Sequence, residues 1–262
     1  MTTHPDARTH PAFNQTGHRP WPLPDGRWSW RQSWRDLLFA HWPVPVAALR
    51  PLVPAGLAVQ EFDGTSWVGV VPFRMAGVMR RPWPDLPWVS AFPELNVRLY
   101  VEVGGKPGVW FLSLDATNRL AVAAARRLFY LPYYRAQIDI KSKGEGFAYR
   151  SIRSERRRGT GWGVFDAIYR PVAPVYQSTP DTLEHFLTER YCLYALGPDG
   201  ALYRTEVHHM PWPLQQATAE VRANTMLRPH GLFIEETSPV VLHFTRRIDV
   251  VVWQPERLPV SE

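Results

Sequence analysis

The sequence predicts a mostly β (α+β) chain, built around a large curved antiparallel sheet or barrel in a single domain. Three observations carry this. Period-two alternation of apolar and polar residues recurs along most of the chain, which is how strands with two unlike faces read. The 26 prolines among 262 residues disfavour long helices and favour short strands joined by rigid turns. The helix-like segments interrupt runs of strands instead of alternating with them, as a parallel βαβ chain would require.

Residues 1–26, rich in His, Pro, Thr and Asp, read as a flexible lead-in to a domain over residues 27–256. Trp28, Trp30, Trp34 and Leu38 share one parity and open the first strand. Val46, Leu49 and Leu52 then fall at helical spacing, stopped by Pro54 and Gly56. Val59–Phe62 and Trp67–Phe73 flank the turn residues Asp63 and Gly64, a hairpin pattern. The stretch ELNVRLYVEV has the cleanest alternation: Leu95, Val97, Leu99, Val101 and Val103 on one face, Glu94, Asn96, Arg98, Tyr100 and Glu102 on the other. After the turn GGKPG comes a strand over Val109–Leu114, then a helix through LAVAAARRLF capped by Asp115 or Thr117. Further strands are expected at Tyr134–Ile140, Phe147–Arg153, Gly163–Tyr169, Tyr191–Leu196, Leu202–His209 and Val240–Trp253. TPDTLEHFLTER reads as one more short helix, starting near Thr179 or Thr182.

Composition excludes several classes of function. One cysteine, Cys192, rules out an internal disulfide framework and fits a reducing, cytoplasmic compartment; set in the apolar run YCLYAL, it reads as a buried thiol. The N-terminus lacks the basic-then-apolar order of a signal peptide, and no apolar run reaches the ~20 residues of a membrane span, so no membrane association is expected. Net charge +6 and a pI near 9.7 raise a nucleic-acid reading. The dense basic run Arg153–Arg158 reads as a solvated loop, however, and no recognition-helix or RNA-module pattern accompanies it. Adjacent His208 and His209 point to opposite faces of a strand, and His41, His185, His230 and His243 lack ligand spacing. Neither a metal nor another cofactor is expected. GTGWG lacks the Lys-Ser/Thr of a phosphate loop. Exposed strand edges would permit a homo-oligomer.

The polar row Glu94–Glu102 is the feature with chemical potential. On a sheet with one wet face it is a solvated surface; in a closed barrel it lines a polar cavity. Both remain open at this level. Glu94 and Arg98 lie roughly 13 Å apart along the strand at ~3.3 Å per residue, so they suit opposite ends of one ligand better than a close ion pair.

The segments FAHWPVPVAALRPLVPAGL, FPELNVRLYV and GVWFLSLDATNRLAVAAARRLFYLPYYRAQ resemble the DUF2071, or YqjF-like, family over nearly the whole chain, Trp28 to Trp253. That family is similar to acetoacetate decarboxylase, which implies a curved antiparallel structure closing over a small-molecule cavity. The resemblance places Tyr133 and Tyr134 of FYLPYYRA where the decarboxylase has adjacent lysines, one of which forms its Schiff base, and Glu94 where it has an active-site glutamate. The three lysines, Lys106, Lys141 and Lys143, all sit at turns, so a Schiff-base decarboxylase is not expected. Two readings follow. One is a small-molecule binding protein whose cavity is walled by Tyr and Trp and oriented by Glu94 and Arg98. The other is an enzyme in which Glu94, Tyr133 and Tyr134 exchange protons with a small carbonyl or oxo-acid. Arg98, Asn96, Tyr100 and His41 then contact the substrate. Asp115 reads as a cap in either case, and Arg126 and Arg127 as charges that suit a helix C-terminus.

Overall fold

The computed structural model describes residues 10–83, 90–155, 161–234 and 238–259. Long strands dominate. β1 (Trp30–Val44) is followed by a helical turn, α1 (Val46–Leu49), and by the short strands β2 (Ala58–Val59) and β3 (Glu61–Phe62). β4 (Thr65–Arg80), β5 (Phe92–Val103) and β6 (Lys106–Ala116) form a meander, after which helix α2 (Arg119–Leu128) leads into β7 (Tyr133–Lys143). β8 (Gly146–Arg153) and β9 (Val164–Pro171) continue antiparallel, and helix α3 (Leu183–Thr188) precedes β10 (Cys192–Leu196) and β11 (Leu202–His209). β12 (Gln215–Asn224), β13 (Val241–Val252) and β14 (Glu256–Arg257) complete the chain.

These strands join one sheet, in the order β14-β11-β10-β6-β7-β8-β9-β12-β13-β1-β4-β5-β2, with β3 paired to β4. The further pairings β5–β6 and β11–β13 bend that path back on itself. Two strands make this possible by changing partners along their length. β6 pairs β10 at Val109 and Trp110, then β7 from Leu114 to Ala116. β13 pairs β12 at His243 and Phe244, then β11 from Val250 to Val252. The strands β1, β4 and β5 are thereby shared by two circuits and covered on both faces.

The core divides accordingly. Leu38, Ala40, Val68, Val70, Leu95, Val97 and Leu99 pack with Phe147, Tyr149, Phe165 and Tyr169. From the opposite faces of the same strands, Leu37, Phe39, Val71, Phe73 and Phe92 pack with Leu114, Tyr133, Trp212 and Val250.

Four expectations change. The sheet is mixed, because β6 pairs parallel with both β7 and β10; the crossover through α2 returns the chain in the same direction, which a tight hairpin cannot do. The cap of α2 is Asn118, whose Oδ1 accepts from the backbone N–H of Leu120 and Ala121, both at 3.0 Å. Asp115 is instead a strand residue. Residues 10–26, expected as a flexible lead-in, pack against the sheet: Ala12 is buried with Trp28, Val251 and Trp253, and Arg19 Nη2 meets Glu206 Oε2 at 2.8 Å. Residues 1–9 lie outside the described residues, as do Arg156, Arg157 and Arg158 of the basic run. Finally, β12 has no counterpart among the expected strands. Its sequence, QQATAEVRAN, has no bulky apolar run, and its buried side is supplied by Ala217, Ala219 and Val221. The expected short helix is present as α3, with the Thr182 side chain accepting from His185 N.

Candidate functional site

Inside the circuit formed by β1, β4, β5, β6, β10, β11 and β13 lies a cavity of about 330 Å³. Its wall is largely aromatic and aliphatic, including Trp34, Phe73, Phe92, Phe111, Phe129 and Trp212. α2 closes one side through Leu120, Ala121, Ala124 and Ala125. Spacings of one, three and four residues put these on one helical face. Leu120 is 68% exposed, so the mouth lies beside it, toward Trp30 and Val78.

The polar row of β5 faces into this space. Glu94, Asn96 and Arg98 all line it and are 2%, 6% and 7% exposed. The choice between wet surface and cavity is therefore decided: the Leu95–Leu99 face packs in the core with Phe147, Tyr149, Phe165 and Tyr169, so its alternates point into the lumen. Register places them in depth. Across β4, Phe92 lies opposite Met75 near the mouth, Glu94 opposite Phe73, Asn96 opposite Val71, and Arg98 opposite Gly69 at the far end.

Tyr133 reaches the same space from β7. Helix α2 ends at Leu128 with Phe129 as its cap, and Tyr130 follows with φ of 57°, the left-handed turn that commonly stops a helix. Leu131 and Pro132 then bring the chain alongside β6, where Tyr133 pairs with Leu114. Arg126 secures this turn by donating from Nε and Nη2 to the Tyr133 carbonyl at 2.9 and 2.6 Å, and from Nη2 to Glu155 at 2.6 Å. The Tyr133 hydroxyl donates to Glu94 Oε2 at 2.9 Å. Burial pushes the Glu94 carboxyl up to about 8; the Tyr133 hydrogen bond opposes that rise and the nearby Asp115 adds to it. Glu94 is thus a neutral acid at pH 7. Burial, and then Glu94, hold the Tyr133 phenol well above its ordinary value.

The adjacent tyrosine does something else. Period two turns Tyr134 to the opposite face of β7, where its ring lies 4.3 Å from the Arg153 guanidinium. Tyr134 does not line the cavity. Arg153 belongs to no solvated loop: it is fully buried, with Nε 3.0 and 3.1 Å from the two oxygens of Asp115 and Nη2 2.7 Å from Ser113 Oγ. Sequence reasoning missed this pair because the partners lie 38 positions apart and each had a bland local explanation.

Tyr100 and His41 stand behind Arg98, outside the lining. The Tyr100 hydroxyl donates to the Leu187 carbonyl at 2.9 Å and lies 2.6 Å from His41 Nε2. Arg98 donates from Nε to that hydroxyl at 3.2 Å and from Nη2 to the Leu187 carbonyl at 2.9 Å. Burial, the Arg98 charge and His243 hold His41 well below its ordinary value, so it is neutral. Its ring sits on Gly69, where a Cβ would approach it to 3.0 Å; a larger residue there would displace the assembly. These two residues position Arg98 and do not reach the lumen. Gln32, Trp34 and Trp212 line the cavity without having been singled out in the sequence; for Trp34 the parity of the first strand was the available signal.

None of the three lysines lines the cavity. Lys106 pairs with Glu206 and Lys141 with Asp139, and Lys143 ends β7 at its hairpin. Cys192 is buried, its thiol pushed up to about 12 by burial. Among the described residues no group of three or more His, Cys, Asp or Glu is placed to hold a metal ion. No described helix is long and apolar enough to cross a membrane.

A curved, β-rich sheet that closes over a lumen, with few and short helices, defines the acetoacetate decarboxylase-like class of fold. A solved acetoacetate decarboxylase from Legionella pneumophila matches with a TM-score of 0.59 at 14% identity, covering 93% of each chain. The enduracididine biosynthesis enzyme MppR, in complex with pyruvate, matches with a TM-score of 0.61 at 13% identity, also covering 93% of each chain. At these identities the likeness is one of fold. Within that class, the model of DUF2071, described as an uncharacterized conserved protein, matches residues 31–249. The uncharacterized protein YqjF of Bacillus subtilis (strain 168) is 42% identical over 231 residues, 88% of this chain and 93% of YqjF. The chain belongs to the DUF2071 family.

Proposed function

We propose that this protein binds a small organic molecule inside the cavity of the shared circuit, without imine chemistry. The observation that carries the reading is the cavity's composition: an apolar, largely aromatic wall of about 330 Å³ with a few convergent polar groups on one strand, Glu94, Asn96 and Arg98, and Tyr133 opposite. That is how small-molecule sites are built, with burial providing affinity and sparse polar groups fixing orientation. No lysine amine faces the lumen, so a Schiff base has no nucleophile there.

The buried Glu94–Tyr133 hydrogen bond favours a second reading, an acid–base enzyme acting on a carbonyl substrate. A carboxyl pushed up to about 8 donates a proton near neutrality and accepts one only above that pH. Glu94 would then act first as the acid, with Tyr133 holding its second oxygen. Such a catalyst would polarise a carbonyl by hydrogen bonding to it.

Native mass spectrometry of the purified protein, compared with the denatured chain, tests the first reading. A small molecule released on denaturation supports it. Trp30, Trp34 and Trp212 in the wall make fluorescence titration the companion measurement. An empty protein that no added organic acid, alcohol or ketone perturbs would overturn it. Turnover of a bound carbonyl compound that disappears in Glu94→Gln, with binding retained, would select the enzyme.

A further inference from the structure

We infer that the ligand of this cavity is a monocarboxylic acid with an apolar alkyl or aryl body, bound head-first with its carboxylate at Arg98 and its tail toward Leu120. This rests on the small-molecule reading above and specifies the ligand's charge, shape and direction.

The charge follows from which polar groups of the lumen lack partners. The Tyr133 hydroxyl is occupied by Glu94 Oε2, so what this pair leaves for a ligand is the second Glu94 oxygen. Arg98 differs. Its Nε and Nη2 bond the Tyr100 hydroxyl and the Leu187 carbonyl, both neutral acceptors, and its guanidinium lies 4.9 Å from the centre of the Phe39 ring. Among the described residues no carboxylate lies within ion-pair distance of it and Nη1 has no acceptor. A buried cation needs a counter-charge, and a bound anion can supply it. The side chain of Asn96, one residue pair nearer the mouth, makes no hydrogen bond among the described residues, and its Oδ1 is sealed without a donor. The indole N–H groups of Trp34 and Trp212, stacked 5.7 Å apart in the same wall, also lack acceptors. Around Arg98, apart from Asn96 Oδ1, the unmet groups are donors; Gln32, whose amide both donates and accepts, lines the wall on the same face of β1 as Trp30 and Trp34. The missing partner is an acceptor carrying negative charge, and a carboxylate takes the planar guanidinium fork well.

Direction follows from register. Arg98 stands opposite Gly69 at the far end of the stretch of β5 that lines the cavity, while Phe92, Met75, Val78 and Leu120 mark the mouth. A ligand whose head reaches Arg98 has a mostly apolar wall beside its outer half, with Gln32, Glu94 and Tyr133 as the polar exceptions. About 330 Å³ corresponds to roughly eleven groups of water size at ~30 Å³ each, which suits a medium-chain or arylalkanoic acid.

The test is tryptophan-fluorescence titration of the full chain at pH 7 with decanoate, 1-decanol, decylamine and pyruvate, in the parent and in Asn96→Asp and Arg98→Gln. Decanoate should bind at least about tenfold tighter than the other three, the effect of one charge-assisted hydrogen bond of ~1.5 kcal/mol or more. Asn96→Asp keeps the side-chain shape and sets a negative charge beside the head, so it should weaken decanoate by about tenfold or more and leave decanol within a few-fold. Arg98→Gln should abolish the acid-over-alcohol preference; if it fails to fold, the Asn96→Asp comparison decides alone. Equal binding of decanol, tighter binding of decylamine, or pyruvate matching decanoate would overturn this inference and leave small-molecule binding intact. Failure of all four probes, with no molecule released in native mass spectrometry, would overturn both.

Discussion

Glu94 carries a carboxyl that burial keeps protonated, and this makes stability depend on pH in a defined direction. Its ordinary value is 4.5, and in the fold it is pushed up to about 8. Between those values the folded chain holds a proton that the unfolded chain has released. The contribution is therefore fully present below about pH 4.5 and lost as pH rises through 8, at up to ~1.4 kcal/mol per pH unit. Glu94→Gln removes the titration and retains a neutral head that can still accept from Tyr133. Urea unfolding at pH 5, 7 and 9 should show the variant gaining on the parent as pH rises; an unchanged difference across that range would count against the assignment. The Asp115–Arg153 pair poses the opposite problem, because both side chains are fully buried. Asp115→Asn strands a cation in the core and should cost ~3–5 kcal/mol in urea unfolding. Replacing both residues with Leu and Met should recover most of that loss, which would separate a stranded charge from a general packing defect.

At the scale of elements, α2 is both connection and wall. Asn118 starts it, Arg126 ties its end to β7, and the small residues Ala121, Ala124 and Ala125 leave room beneath it. Filling that room should separate binding from stability. Ala121→Phe places a ring in the lumen and should weaken any cavity ligand by about tenfold or more, with a melting temperature unchanged or raised, since filling a void gains contacts. A matching fall in melting temperature would mean that the helix cannot accept the ring and that the cavity is not open there. β5 shows the same economy: one strand supplies apolar residues to one core and polar residues to the lumen, because both of its faces are covered.

For the whole molecule, the N-terminal segment seals one end of the sheet. Arg19 pairs with Glu206, the His18 ring nitrogen Nε2 lies 2.8 Å from the His209 carbonyl, and the Gly26 carbonyl accepts from Trp253 Nε1 at 2.8 Å. No residue from His10 to Gly26 lines the cavity. Deleting residues 1–26 should therefore lower the melting temperature by several degrees, at ~2–4 °C per kcal/mol for a chain of this size, while ligand titrations stay within a few-fold. Loss of binding in the truncated but folded chain would show that the segment shapes the site.

Much of this architecture was legible in the residues. Alternation located β5, β11 and β13 to within a few positions and the first halves of β1 and β4, and the run of Ala and Leu located α2. Alternation also grouped Glu94, Asn96 and Arg98 on one face, but the strand expected from Tyr134 onward left both tyrosines in the site, and only the actual start of β7 at Tyr133 turns Tyr134 to the other face. Other features were not legible. β12 lacks the bulky residues that mark a strand, and the parallel neighbours of β6 and the Asp115–Arg153 pair join segments far apart in sequence. Periodicity fixes which side chains travel together, since it is a property of the local backbone. It cannot say whether their common face meets water or a lumen. That was decided when β6 and β13 changed partners and closed the sheet, covering both sides of β5 and leaving Arg98 buried at the end of an apolar cavity without a counter-charge.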